Sequence, residues 1–400
     1  MCPPTKNDKG LSLYIHVPFC AAKCPYCAFA SARARAGDEV LYLESLEREI
    51  TSRLPNKFFF HPWGERKIYE RGSGGLVPRR GLGWSPKVLT LYIGGGTPSV
   101  LSLVSWNALI RIIEREFSFS ENAEVTVEAN PGSLTREHIK LWRDWRVTRI
   151  SVGVQSFDDR RLKFLGRVHD AAQSRVAVAL CMDAAFSVSL DLMFGLPEET
   201  PRDWMTDLKT ALSFGTNHIS VYQLTIEEGT PLARQNPSLP EGYAQYRYAQ
   251  WRLARAGLEQ YEVASFAQPG QECRHNLNYW ADGEYIGLGP SACGYINGTR
   301  WMNAPRLDDY AAMTLRGLPA ISEERLEGER AARQAAVLAL RTTKGITWKN
   351  FANQYGVPAA NAIRRDLERF PRDIVANGAE ASRLTPKGFR LGNAVWSEII

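Results

Sequence analysis

Six short runs rich in β-branched and aromatic residues recur along the chain: LSLYIHV (11–17), VLTLYIG (88–94), EVTVEA (124–129), RISVGVQ (149–155), VSLDLMF (188–194) and HISVYQLTI (218–226). Between them lie longer stretches with apolar residues at helical spacing, among them EVLYLESLEREITSRL, LTREHIKLWRDW, DAAQSRVAVALCMDAAF and PRDWMTDLKTALSF. Nearly continuous apolar strands must be covered on both faces, and a helix after each strand supplies that cover in a parallel sheet. The alternation therefore predicts an α/β fold, a parallel sheet wrapped by helices and closed or partly closed as a barrel. Residues able to do chemistry fall at the C-terminal ends of these runs: Cys20 to Cys27 after the first, Gly94 to Thr97 at the second, Glu128 and Asn130 at the third, Gln155 at the fourth. In βα barrels that is the end at which binding and catalysis collect.

Cys20, Cys24 and Cys27 form a C-x-x-x-C-x-x-C loop in LYIHVPFCAAKCPYCAFA, and no fourth cysteine stands at motif spacing. Intervals of three and two residues let a short loop curl around one iron–sulfur cube, with its thiolates inward and its N–H groups toward the sulfides. A cube normally takes four thiolates, so three leave one iron open to an exchangeable ligand. Pro25 stiffens the turn, and Phe19, Tyr26 and Phe29 are bulky enough to keep water from the metal. The alternative is a structural zinc site with His16 as fourth ligand. Zinc usually takes two C-x-x-C-type pairs, or Cys pairs joined to His pairs, and neither pattern occurs. His16 is expected behind the metal, in support of its ligands. GGGTPS (94–99) supplies glycines whose backbone can approach and grip a small charged ligand.

The run Y-I-H-V-P-F-C-x-x-x-C-x-x-C-x-F resembles the radical SAM superfamily, and within it the branch holding oxygen-independent coproporphyrinogen III oxidase and the HemW-like heme chaperones. The resemblance implies a six-unit, partial (β/α)6 barrel. It implies a [4Fe-4S] cluster on Cys20, Cys24 and Cys27, with S-adenosyl-L-methionine (SAM) chelating the fourth iron through its amino and carboxylate groups. In the superfamily, reduction then cleaves the sulfonium to a 5′-deoxyadenosyl radical. Matching positions give the expected SAM contacts: Gly95, Gly96 and Thr97 at the methionyl ammonium, Glu128 in VEANP at the ribose or ammonium, then Gln155, Arg167 and Asp191, with Tyr14 six residues before Cys20. A planar guanidinium suits the methionyl carboxylate. Each of these residues alone also reads as a satisfied polar group inside a barrel; their order is what points to a cofactor.

A second segment, CRHNLNYWADGEYIGLGPSACGY, carries His275, Asn276, Tyr279 and Trp280 as H-N-x-x-Y-W, the pattern of the HemW-like group. The resemblance implies heme binding here, with an imidazole for the iron and two aromatics to stack on the porphyrin. The same residues also suit a buried polar-aromatic cluster. Cys293 stands where relatives often carry histidine, so it reads either as a thiolate ligand to heme or as a small buried residue. Two departures separate the chain from the oxidase. Phe29 occupies the position of an additional oxidase cysteine, and only ten residues precede the first strand, where the oxidase has a long extension that helps form its substrate site. A porphyrinogen decarboxylase must hold a propionate beside the radical carbon, whereas carrying heme needs no such alignment. The expected function is a heme chaperone that passes heme to an acceptor protein; the alternative is coproporphyrinogen III oxidase. A membrane-associated acceptor and a homodimer both stay open.

Four hundred residues, 44% apolar and 23% charged, suffice for a large core and suggest a barrel plus appendages. No run of eighteen apolar residues occurs, MCPPTKNDKG lacks a signal-peptide stretch, and seven cysteines do not form a secreted disulfide framework, so a cytoplasmic protein is expected. The net charge of +6 is spread over Arg-rich helices, which argues against a nucleic-acid partner. Residues 1–230 read as the barrel, with a flexible insertion at about 55–87. Residues 231–322 read as a linking region whose pieces YEVASFA, EYIGLGPSA and TRWMNA extend the sheet or cover the barrel mouth. Residues 323–400 read as a mostly helical, winged-helix-like domain, an order the resemblance also supplies. Its segment VPAANAIRRDLERF mixes acid with base and is assigned to packing. Cys181 is expected in the core, Cys2 and Cys273 belong to no motif, and His169 and His218 are expected to be structural or solvated.

Overall fold

The structure is a computed structural model that describes residues 10–54 and 87–400. Cys2 and nearly all of the insertion expected at about 55–87 lie outside the described residues. Strands β1 (Leu11–Val17), β2 (Val88–Gly95), β3 (Phe119–Ala129), β4 (Arg149–Gln155), β5 (Ser187–Phe194) and β6 (His218–Gln223) pair in chain order, all parallel. Helices α1 (Asp38–Arg53), α2 (Leu103–Glu116), α3 (Arg136–Asp144), α4 (Asp159–Phe164), α5 (Ala171–Asp183) and α6 (Pro201–Ser213) fill the connections. Local chemistry starts several of them. Asp170 with Gln173 and Thr200 with Asp203 form reciprocal capping boxes for α5 and α6, and Pro201 stands in the first turn of α6, where its missing N–H costs nothing.

The strands prove apolar on one face only. Leu13, Ile15 and Val17 of β1, Leu91 and Ile93 of β2, Val125 and Val127 of β3, and Ile150, Val152 and Val154 of β4 are buried beneath the helices in one continuous core. The alternate residues are polar: Ser12, Tyr14 and His16; Thr90 and Tyr92; Thr126 and Glu128; Arg149 and Ser151; Ser189 and Asp191; His218 and Ser220. Polar groups from six neighbouring strands can share one enclosed space only if the sheet curls around them, and residues from all six strands or the loops after them line a single cavity. The sheet is thus a partial barrel with a polar lumen.

Both of its edges are extended by the stretch that follows β6. Helices α7 (Pro231–Gln235) and α8 (Tyr243–Ala254) lead to β7 (Glu259–Gln260) and β8 (Ser265–Ala267), the latter antiparallel to β6. After α9 (Arg274–Trp280) the chain crosses to the other edge, where β9 (Ile286–Leu288) runs parallel to β1. The pieces with EYIGLG and TRWMNA separate at this point. Cys293 begins β10 (Cys293–Ile296), which joins β11 (Thr299–Asn303) and β12 (Ala320–Arg325) in a separate antiparallel sheet, with α10 (Leu307–Thr314) between the last two. A fully buried pair, Glu49 and Arg53 at 2.6 Å, ties α1 to this region. Glu49 also accepts from the Gly289 N–H, Asn303 and the Tyr310 hydroxyl, so its charge is not left uncompensated.

The C-terminal part runs α11 (Gly328–Ala339), β13 (Ile346–Thr347), α12 (Trp348–Tyr355), α13 (Val357–Glu368), β14 (Val375–Asn377), β15 (Ala381–Leu384), α14 (Pro386–Arg390) and α15 (Gly392–Ser397). The helix assigned to packing, α13, buries Ala360, Ile363 and Leu367. Arg341 docks this part onto the rest, with its guanidinium over the rings of Trp280 and Trp396.

Candidate metal centre and cofactor site

The loop after β1 is folded by its own backbone. The Cys20 N–H donates to Ala32 O at 3.0 Å, Ala32 N–H to Pro18 O at 2.9 Å and Cys27 N–H to Cys24 O at 3.1 Å. Pro25 packs so closely on Gly166 that a Cβ there would meet its ring at 2.4 Å. The three cysteines of the loop are half-buried, free, and line one open cavity of about 340 Å3. Burial pushes the Cys27 thiol up, with the neighbouring cysteines adding to the shift. No three His, Cys, Asp or Glu side chains among the described residues gather closely enough to hold a single ion. A cube, by contrast, takes each thiolate at a separate iron. Thr97 donates to Cys20 Sγ at 3.4 Å and Arg167 Nη1 to Cys24 Sγ at 3.7 Å, so hydroxyl and guanidinium protons already face two of the sulfurs.

Opposite the thiols, β2 ends in the glycine loop. Gly95 sits at φ +108°, where its N–H donates to Glu128 Oε2 at 3.1 Å, and any Cβ would strike the His16 ring. Gly96 N–H donates to Val17 O at 2.8 Å, and a Cβ there would lie 2.4 Å from Phe19 O, so the glycine loop and the cysteine loop share a wall. Glu128 also accepts from the Tyr92 hydroxyl at 2.8 Å; burial nonetheless pushes its carboxyl up to about 7. Asp191 accepts from Ser151 at 2.9 Å and is likewise pushed up by burial, to about 6. Arg167 Nη2 donates to Gly153 O at 2.8 Å, while its Nε, like Ser31 Oγ, is buried with no partner among the described residues. Gln155 holds φ +66°, uncommon away from glycine, at the same wall.

Gly95, Gly96, Thr97, Glu128, Gln155, Arg167 and Asp191 therefore meet the three cysteines at one cavity. Tyr14 lies one layer below, its hydroxyl donating to His16 Nδ1 at 3.0 Å; His16 Nε2 donates to Ala30 O at 3.0 Å and so supports the cysteine loop from beneath. Lys23, Ser31, Met193 and Tyr222 also line the cavity, and sequence reasoning did not single them out. Tyr222 was within reach, since it stands on the polar parity of β6, in register with Met193 of β5.

The H-N-x-x-Y-W residues are elsewhere. They form α9, whose start is anchored on Glu124 near the N-terminal end of the parallel part of β3: Arg274 N–H and His275 N–H donate to its carboxylate at 3.0 and 2.9 Å. His275 is inaccessible, with Nδ1 2.8 Å from Thr90 Oγ1 and Nε2 2.8 Å from the Tyr279 hydroxyl. Burial depresses its imidazole to about 3. In this arrangement neither ring nitrogen is open to a porphyrin iron, contrary to the role the motif suggests. Trp280 packs on Arg341, and Cys293 is half-buried at the start of β10. The other four described histidines, His16, His138, His169 and His218, are likewise buried with both ring nitrogens engaged.

Comparison with known proteins places the chain in a family and a fold. The Radical SAM superfamily model matches residues 80–211, downstream of the cysteine loop. The heme chaperone HemW of Bacillus subtilis is 32% identical over 402 residues, covering 97% of this chain and 99% of that protein. That of Haemophilus influenzae is 38% identical over 292 residues, or 72% and 70% of the two chains. Among solved structures, coproporphyrinogen III oxidase from Escherichia coli superposes with a TM-score of 0.80 at 21% identity, covering 98% of this chain and 90% of that one, which shows a shared fold.

Proposed function

This chain belongs to the HemW family of the radical SAM superfamily, and from that premise we propose that it is a heme chaperone, binding heme and handing it to an acceptor protein, with a [4Fe-4S] cluster and exchangeable SAM beside it. The observation that carries the cofactor part is the meeting of three half-buried thiols with the polar ends of the strands at one cavity. Cys20, Cys24 and Cys27 would hold the cluster, which when bound offers an open iron for chelation and a reservoir for an electron. Gly95, Gly96 and Thr97 present backbone and hydroxyl groups to the methionyl end. Arg167 has a buried Nε without a partner to spend on a carboxylate, and Glu128 and Asp191 are acceptors for ammonium or hydroxyl protons. Tyr14 acts from behind, through His16.

The heme part rests on relatives matched over nearly the whole chain. Phe29, 64% exposed beside the cavity in place of the oxidase's additional cysteine, supports the same side. Among the residues proposed for heme, Cys293 offers a half-buried sulfur, while Tyr279 and Trp280 offer aromatic surface. No helix of the described residues is long and apolar enough to cross a membrane. Titration of the purified protein with heme tests the proposal. A saturable Soret shift near one equivalent is expected, followed by transfer to an apo-hemoprotein; no shift would remove the chaperone reading. Conversion of coproporphyrinogen III to protoporphyrinogen by the anaerobic, SAM-supplied protein would favour the oxidase instead.

A further inference from the structure

We infer that His275 is a positioning residue for the SAM pocket, acting through Tyr92 and Glu128, and that it does not ligate heme iron; the inference rests on the cofactor reading just proposed. The carboxylate of Glu128 forms part of the cavity wall, and its Oε1 is fixed by the Tyr92 hydroxyl at 2.8 Å. The Tyr92 ring is held for that bond by two aromatic neighbours. The His275 ring stacks on it at 5.3 Å between centroids and 29° between planes, and Tyr14, its cross-strand neighbour, is tilted against it at 6.2 Å and 34°. The wall has no slack: a Cβ on Gly94 would lie 2.8 Å from both the Glu128 carboxyl and the Tyr92 ring.

The imidazole is itself locked in orientation. Thr90 donates its hydroxyl proton to Ser12 at 3.0 Å, so its oxygen accepts from His275 Nδ1–H, and Nε2 is left to accept from the Tyr279 hydroxyl. The backbone N–H of His275 is held by Glu124, and the Tyr279 ring packs edge-on to both His275 and Tyr285. To reach an iron, the ring would have to give up both hydrogen bonds and the stack, leaving Thr90 and Tyr92 without their partner in the lumen. A neutral, immobile ring between two aromatic neighbours is what a support needs, and the opposite of what an exchangeable metal ligand needs. The H-N-x-x-Y-W helix is thus a plug in the barrel whose inner face shapes the cofactor pocket from below.

The test measures SAM affinity and heme absorption on the cluster-reconstituted full chain, comparing the unmodified protein with His275→Ala, Tyr92→Phe, Tyr279→Phe and the double variant His275→Ala/Tyr92→Phe. The expected result is a SAM dissociation constant about tenfold weaker for His275→Ala and for Tyr92→Phe. The double variant should be no weaker than the worse single one, because both act on the same carboxylate. Heme stoichiometry and Soret position should stay those of the unmodified protein in His275→Ala, Tyr92→Phe and the double variant. Unchanged SAM affinity in both single variants, or fully additive losses in the double one, would overturn the positioning role; a displaced Soret band in His275→Ala would overturn the exclusion from heme. If His275→Ala does not fold, Tyr92→Phe carries the same readouts and the milder Tyr279→Phe, which removes the hydroxyl on His275 Nε2, carries the SAM readout. An unmodified protein that binds the cluster but no SAM would instead sink the functional reading, and the inference with it.

Discussion

The two ends of the barrel lumen carry the same kinds of side chain and behave differently. At the base, most polar residues satisfy one another: His218 bridges Ser189 and Tyr261 at 2.7 and 2.8 Å, and His275 bridges Thr90 and Tyr279, while Thr126 Oγ1 and Arg149 Nη2 are buried without a partner among the described residues and away from the open cavity. At the mouth, Arg167 and Ser31 keep buried atoms with no partner among the described residues, Glu128 and Asp191 are pushed toward neutrality, and the thiols face a cavity. A polar residue inside a barrel is therefore weak evidence of a site; bonding capacity left unspent around an open volume is much stronger.

The largest blow to this contrast should come at the mouth. Cys24→Ala is expected to abolish cluster assembly, with iron and sulfide per chain falling to background in the anaerobically reconstituted protein. Cluster-level iron in that variant would mean the three thiols do not act together. Next, Gly96→Ala drives a Cβ into the Phe19 carbonyl and should weaken SAM binding by on the order of a hundredfold while iron content stays near normal. Glu128→Gln should cost about tenfold in SAM affinity and also change its pH dependence. The carboxylate accepts a proton-bearing partner, and the neutral acid does so poorly. Affinity in the unmodified protein should thus rise as pH climbs through about 7, whereas the variant should stay flat there. Isothermal titration at several pH values decides it, and a parallel rise in both proteins would clear Glu128 of the role. The smallest effect on binding belongs to the part of the base that does not touch Tyr92: His218→Phe should lower folding stability by about 1–3 kcal/mol and leave SAM affinity within twofold, as urea unfolding and the same titration would show. A loss of affinity there would mean that the base reaches the pocket by routes other than the His275–Tyr92 stack.

Much of this was legible in the residues. β1 and β4 have the bounds their apolar runs predict, and α1, α5 and α6 follow their helical patterns, with the caps of α5 and α6 written in Asp170 and Thr200. The cavity gathers nearly every proposed contact because chemistry at strand ends is a matter of local order along the chain. The strands looked apolar throughout, since Tyr14 and Tyr92 count as apolar in a periodicity while their hydroxyls face the lumen. The edge strands β7, β8 and β9 have two or three residues each, too few for any period, and were visible only as short pieces. The place of the H-N-x-x-Y-W motif was not legible at all. Histidine beside two aromatics reads alike as a ligand and as a plug, and only the long-range partners Thr90, Glu124 and Arg341 tell them apart.

The most direct check on the whole account is the electron paramagnetic resonance spectrum of the reduced, anaerobically reconstituted protein, recorded before and after adding SAM. A [4Fe-4S]+ signal whose g-values move when SAM is added is the predicted result. Bound zinc in place of iron, or an iron signal that SAM leaves unaltered, would contradict it.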